Sequence, residues 1–205
     1  CHIGSQIFDI EPFVTAAEIM IDFMAKIKSE LGAVISELNL GGGFGIMYTS
    51  DDEPVPYENY MDKVSVAVKA KCAEHGLPVP FIYIEPGRSV VGEAGITLYT
   101  VGGKKKIPNV RTYVSIDGGM TDNIRYALYQ SAYTIVNASK ADKPADEVVT
   151  IAGKCCESGD LVQEHTKVAD VQVGDILAVL STGAYNYSMA SNYNRIPRPA
   201  IVMVK

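Results

Sequence analysis

At 205 residues, 47% of them apolar and 20% charged, the chain has the size and balance for one large domain or two small ones around a real core. Its 18 basic and 24 acidic residues leave a net charge of −6, and no basic run exceeds Lys104-Lys105-Lys106, so the phosphate-neutralising face that nucleic acid requires is missing. Charge interrupts every long apolar stretch, which excludes a bilayer-spanning helix.

The start at Cys1-His2-Ile3-Gly4, with neither Met nor a basic leader, reads as a fragment. Residues 13–31 place Phe13, Ala17, Met20, Ile21, Met24, Ile27 and Leu31 on one helical stripe, with Gly32 at the C-cap position. Ala33 to Leu40 is rich in Val, Ile and Leu and reads as a buried strand entering the loop Gly41-Gly42-Gly43. From about Pro56 a second helix carries Tyr57, Tyr60, Met61, Val64, Val68 and Cys72 in its stripe and closes at Gly76. Phe81-Ile82-Tyr83-Ile84 reads as another buried strand, ending at Glu85-Pro86-Gly87-Arg88. Polar or glycine motifs at 2–6, 41–45 and 85–88 thus recur about every forty residues, as successive β/α units would place them, and ligand sites gather at such strand ends.

Beyond Arg88 the texture changes. Thr97–Val101, Thr112–Ile116, Val148–Ala152 and Ile176–Leu180 read as strands, Thr121–Gln130 holds at most a short helix, and residues 171–175 form a turn. The Lys104–Lys106 triplet beside Gly102-Gly103 reads as a solvated turn. The expected division is an α/β part over residues 1–94 and a β-rich domain over 95–205.

Each polar motif has a plain alternative. The glycine run either brings backbone N–H groups against a phosphate or makes a tight turn, and its spacing does not fit the dinucleotide fingerprint. Glu85 and Arg88 are either a surface ion pair or a buried, functional carboxylate with a cationic partner; the four apolar residues before Glu85 favour burial. His2 and Ser5 say little unaided. Cys156, among Cys155, Glu157, Ser158 and Asp160, suits acid–base work, although neighbouring carboxylates raise a thiol pKa. Arg125 and Tyr129 lie four apart on one helix face, where a guanidinium and a phenol suit a carboxylate. The four cysteines show no metal-ligand spacing, so no metal is expected, and reduced thiols fit a cytoplasmic setting.

In this order the motifs His2–Gln6, Leu38–Gly45, Glu85–Arg88, Asp117–Tyr129, Cys156–Asp160 and Thr182–Pro199 resemble the fold-type III decarboxylases dependent on pyridoxal phosphate (PLP), and among them the branch acting on diaminopimelate. The resemblance implies the carboxyl-terminal part of a PLP-binding (β/α)8 barrel of the TIM type, then a mostly β domain, in a homodimer with active sites at the interface. It implies that His2 stacks on the PLP ring, that Ser5, Gly42, Gly43, Pro86, Gly87 and Arg88 belong to the cofactor site, and that Glu85 pairs with the pyridine nitrogen. It further implies that Arg88, Arg125 and Tyr129 bind substrate carboxylates, that Cys156 donates a proton from the partner subunit, that Glu157 meets the distal ammonium, and that Tyr185 touches phosphate and substrate. The implied reaction is decarboxylation of meso-2,6-diaminopimelate to L-lysine. No nucleic-acid or membrane partner is implied.

One departure stands out. The lysine that bonds the cofactor in this family has no counterpart in a matching context, since Lys104–Lys106 and Lys154 lie elsewhere, so this chain alone is expected to be inactive. Rival readings are an ornithine, arginine or carboxynorspermidine decarboxylase of the same fold, a non-catalytic regulatory homologue, and a phosphate-binding module without chemistry.

Overall fold

The computed structural model describes all 205 residues and divides into two compact units: unit 1, residues 1–47 and 52–90, and unit 2, residues 48–51 and 91–205. Unit 1 begins with helix α1, Glu11–Leu31, which carries a proline in its first turn. The helix stops where Gly32 turns left-handed at φ 67° and donates its N–H to the Lys28 carbonyl. Strand β1 is Glu37–Asn39, helix α2 is Tyr57–Glu74 and strand β2 is Phe81–Tyr83. The short helix α3, Gly87–Val91, follows at the junction with unit 2.

The buried faces of α1 (Phe13, Ala17, Ile21, Met24) and α2 (Tyr60, Val64, Val68, Cys72) close on Leu38, Leu40 and Phe44. Each such large apolar side chain contributes about 1.5–3 kcal/mol of burial. Phe13 stacks on Phe44 at 5.0 Å between ring centres, and Tyr60 meets both rings edge-on. The Tyr60 hydroxyl then donates to the Ile7 carbonyl at 3.0 Å, which ties the first residues of the chain to the core. Tyr57, expected in the α2 stripe, stays 38% exposed in the helix's first turn, although its ring meets Phe44 edge-on at 5.2 Å.

β1 and β2 pair in parallel, and Ile7 bridges Phe44 in parallel as well. β2 departs from expectation: Phe81, Ile82 and Tyr83 are all exposed rather than buried. β2 is the edge of the two-stranded sheet and pairs only with β1, so its apolar side chains remain in solvent.

Unit 2 is built on a six-stranded sheet. Its strands are β3 (Thr97–Ile107), β4 (Arg111–Ile116), β5 (Ile135–Asn137), β6 (Glu147–Ala152), β7 (Leu161–Val168) and β8 (Ile176–Val179), in the order β5-β8-β3-β4-β6-β7. Every pair is antiparallel except β4 with β6. Its one α-helix, α4, runs only from Arg125 to Tyr129. The lysine triplet lies inside β3, not in a turn. Lys104 reaches Glu147 at 2.7 Å and Asp170 at 3.3 Å, partners too distant in sequence to signal a strand. The turn at 171–175 forms as expected, with Asp175 N–H donating to the Gln172 carbonyl and Gly174 at φ 91°.

Candidate active site

In unit 1 the tips of β1 and β2 and the segment at residues 2–7 lie side by side. Ile7 N–H donates to the Gly43 carbonyl at 2.9 Å, Gly45 N–H to the Ile7 carbonyl at 3.0 Å, and Glu85 N–H to the Gly41 carbonyl at 2.7 Å. Only glycine permits this approach. A Cβ on Gly42 would sit 2.1 Å from the Glu85 carbonyl oxygen, and one on Gly43 2.2 Å from that of Gly4. The close packing therefore accounts for the glycine run structurally, and it also leaves something over: the N–H groups of Gly42 and Gly43 meet no acceptor within the chain.

Asn39, at the end of β1, links the tips. Its side-chain oxygen accepts from Gly41 N–H and its amide donates to Glu85 Oε1, both at 2.8 Å. Glu85 is exposed, not buried as its apolar prelude suggests, because it follows the exposed edge strand β2; its second oxygen has no partner in the chain. His2 and Ser5 are exposed on the neighbouring tip. Pro86 and Gly87 open α3, which places Arg88 in a buried position.

In unit 2, Arg125 is 92% buried, yet no carboxylate lies within ion-pair distance of it. Its Nε donates to the Tyr133 hydroxyl at 2.7 Å and Nη2 to the Ser131 hydroxyl at 3.3 Å. The rings of Tyr48, Tyr129 and Tyr185 stand 5.8, 5.6 and 5.7 Å from its central carbon, within cation–π range. Tyr133 is buried, which pushes its phenol pKa up, and its O–H donates onward to Asn186 Oδ1. A buried cation balanced by phenols and π-faces alone is primed for an anion from outside the chain.

Cys156 and Glu157 are exposed on a turn between β6 and β7. The Cys156 N–H donates to Asn194 Oδ1 at 2.6 Å, and its carbonyl accepts from the Tyr193 hydroxyl at 3.3 Å. Asp160, 3% exposed, anchors the turn from beneath, taking N–H bonds from Met120 at 2.6 Å and Cys155 at 2.7 Å. Burial, with Asp160 second, raises the Cys155 thiol pKa. Nearby, burial likewise raises Asp122, which accepts hydrogen bonds from the Tyr99 hydroxyl and Gly119 N–H.

The structure thus gathers His2, Ser5, Gly42, Gly43, Glu85, Pro86, Gly87 and Arg88 at adjoining tips in unit 1. In unit 2 it gathers Arg125, Tyr129 and Tyr185 around one guanidinium, with Cys156 and Glu157 on their own turn. Sequence reading misses Asn39, Tyr48 and Tyr133, and it marks Asp160 only as a neighbour of Cys156, not as the buried anchor of its turn. Asn39 carries a signal, a polar residue two positions before a glycine loop; the two tyrosines carry none, being two among 12.

Residues 1–92 match a family described as pyridoxal-dependent decarboxylase, pyridoxal binding domain. Over all 205 residues the chain is 54% identical to the diaminopimelate decarboxylase of Bacillus subtilis (strain 168), covering 47% of that protein, and 53% identical to that of Bacillus methanolicus, covering 48%. A solved structure of the M. jannaschii diaminopimelate decarboxylase in co-complex with L-lysine superposes with a TM-score of 0.88 at 40% identity, over 97% of this chain and 44% of that one. The chain spans about half the length of the relatives it matches. Residues 1–92 are thus similar to the pyridoxal binding domain of the pyridoxal-dependent decarboxylases, and the whole chain is similar to part of the diaminopimelate decarboxylases.

Proposed function

We propose that this chain supplies part of a PLP-dependent decarboxylase that converts meso-2,6-diaminopimelate to L-lysine and carbon dioxide. The observation that carries the proposal is the pair of acceptor-free N–H groups on Gly42 and Gly43 beside a Glu85 carboxylate with one unpartnered oxygen. Those residues fit a phosphate ester of a flat aromatic base. When bound, PLP supplies an electron sink for the pair released as carbon dioxide leaves.

Within this reading, the Gly42 and Gly43 N–H groups and the Ser5 hydroxyl hold the phosphate, and His2 stacks on the ring. Pro86 and Gly87 place Glu85, whose carboxylate keeps a proton on the pyridine nitrogen. Arg88, Arg125 and Tyr129 bind substrate carboxylates, and Glu157 meets the distal ammonium. Charge-assisted contacts of this kind contribute about 1.5–3 kcal/mol each. Cys156 delivers a proton to the carbon that has lost its carboxylate, acting from a partner subunit in a homodimer. Tyr185 contacts phosphate and substrate. The names of the relatives and the bound L-lysine of the M. jannaschii structure support this substrate. A cytoplasmic setting is part of the proposal; no helix is long and apolar enough to cross a membrane.

No lysine occurs at the strand tips, so the 205-residue chain given PLP alone should release no carbon dioxide. In the intact enzyme, Glu85→Gln should lower kcat by roughly 100-fold or more, with the protein still folded. An undiminished rate in that variant would overturn the cofactor assignment. Release from ornithine but not from diaminopimelate by the unaltered enzyme would overturn the substrate.

A further inference from the structure

The helix that presents Arg125 and Tyr129 has five residues, too few to be stable by itself. It ends abruptly at Gln130, left-handed at φ 54°. Nor can Arg125 be located by an ion pair, since it has none. Something outside α4 must hold it, and the contacts lead to β7.

β6 and β7 lose register between Val149 and Ile151, whose partners are Thr166 and Gln163. Glu164 and His165 therefore stand together opposite Thr150, a bulge of one extra residue in β7. His165 takes a positive φ of 51°, a conformation that is strained for a non-glycine residue and persists only where its surroundings impose it. The bulge redirects the Glu164 carboxylate. It forms an ion pair with Arg111 on β4 and accepts from the Tyr126 hydroxyl at 2.9 Å. Tyr126 is buried and is the immediate neighbour of Arg125 on α4. One residue earlier, Gln163 Oε1 accepts from the Tyr133 N–H at 3.1 Å, and Tyr133 is the residue whose hydroxyl receives the Arg125 Nε–H.

Resting on the reading of Arg125 as a carboxylate-binding residue, we propose that Gln163 and Glu164 at the β7 bulge are positioning residues. They clamp α4 at Tyr126 and the following segment at Tyr133, so that the Arg125 guanidinium is aimed at the far carboxylate of the substrate. Arg111 has a distinct part. By neutralising Glu164 it lets that carboxylate hold Tyr126 without competing with the substrate for Arg125. Specificity for a substrate charged at both ends is in this way set by a strand irregularity that touches no substrate.

The test uses the intact enzyme with Glu164→Gln, which keeps the shape and removes the charge, and Tyr126→Phe, which removes the hydroxyl alone. Amide hydrogen exchange over residues 126–133 should quicken by about tenfold in both, and KM for meso-diaminopimelate should rise by about tenfold with kcat held within about twofold. Unchanged exchange in both variants overturns the clamp. Faster exchange with an unmoved KM overturns the positioning role. Arg125→Lys, assayed in parallel, isolates the underlying reading: if it leaves KM unmoved, Arg125 does not bind the carboxylate, whatever the exchange data show.

Discussion

The strand tips of unit 1 and the Arg125 surroundings of unit 2 hold their polar groups by opposite means. At the tips the groups left over are backbone N–H and one exposed carboxylate, and glycines bring strands close enough for a carbonyl to occupy the space of a Cβ. Around Arg125 the polar group is a buried side chain, held by phenols and rings from Tyr48, Tyr129, Tyr133 and Tyr185. A backbone site is broken by added volume and is indifferent to charge elsewhere. A side-chain site is broken by removing one hydroxyl or one buried acceptor. The two regions should therefore fail under different substitutions.

The largest effect is expected where unit 2 depends on a buried carboxylate. Asp160→Ala would orphan the N–H groups of Met120 and Cys155 and empty the space that Gly119 and Gly153 leave for the carboxylate. Each orphaned donor costs about 1–3 kcal/mol, so local opening of residues 118–122 and 153–160, read by hydrogen exchange, should become easier by roughly 4 kcal/mol. Protection unchanged in those two loops would show that the turn bearing Cys156 is held by something else. The same substitution should leave exchange in residues 39–45 untouched.

The counterpart in unit 1 adds a single methyl group. Gly42→Ala would drive Cβ into the Glu85 carbonyl, a backbone atom held by the hydrogen bond it accepts from Gly87 N–H. Overpacking of this kind costs about 1–3 kcal/mol, and PLP affinity of the intact enzyme should fall by roughly 100-fold. Wild-type affinity in this variant would mean the glycine run is a turn and nothing more.

What was legible in the sequence follows the same divide. Local signals were readable: the stripe of α1, its stop at Gly32, the closure near Gly76, and the clustering of the tips from their spacing. Family motifs led to Arg125, Tyr129 and Cys156 by number. Contacts across long stretches of sequence were not readable. Tyr48 and Tyr133 reach Arg125 from separate segments, and β7 hides its strand character behind Gln163-Glu164-His165, a polar run bent by a bulge. Burial at an edge does not follow from composition, since Phe81–Tyr83 is apolar enough for a core yet pairs on one side only.

The smallest effect concerns pH and again falls in unit 2. Asp175 Oδ2 accepts from Lys140 Nζ at 2.9 Å, Asn137 Nδ2 at 3.0 Å and Gln172 N–H at 2.9 Å. The Lys140 contact foremost holds the carboxyl pKa at about 2, against 3.8 ordinarily. A carboxyl group depressed on folding stabilises the folded state at every pH above its unfolded value, and that stability is lost as pH falls through the folded value. The contribution should be about 2 kcal/mol at neutral pH, intact down to about pH 4 and fading towards pH 2. Asp175→Asn should therefore lower stability near pH 7 and flatten its acid dependence below pH 4, as read from urea midpoints across that range. Because the bonds to Asn137 and Gln172 fasten β5 and the turn before β8, the loss should register in the exchange of unit 2 and spare the strand tips of unit 1. An equal loss in both units would mean that charge and backbone geometry are not separated between them.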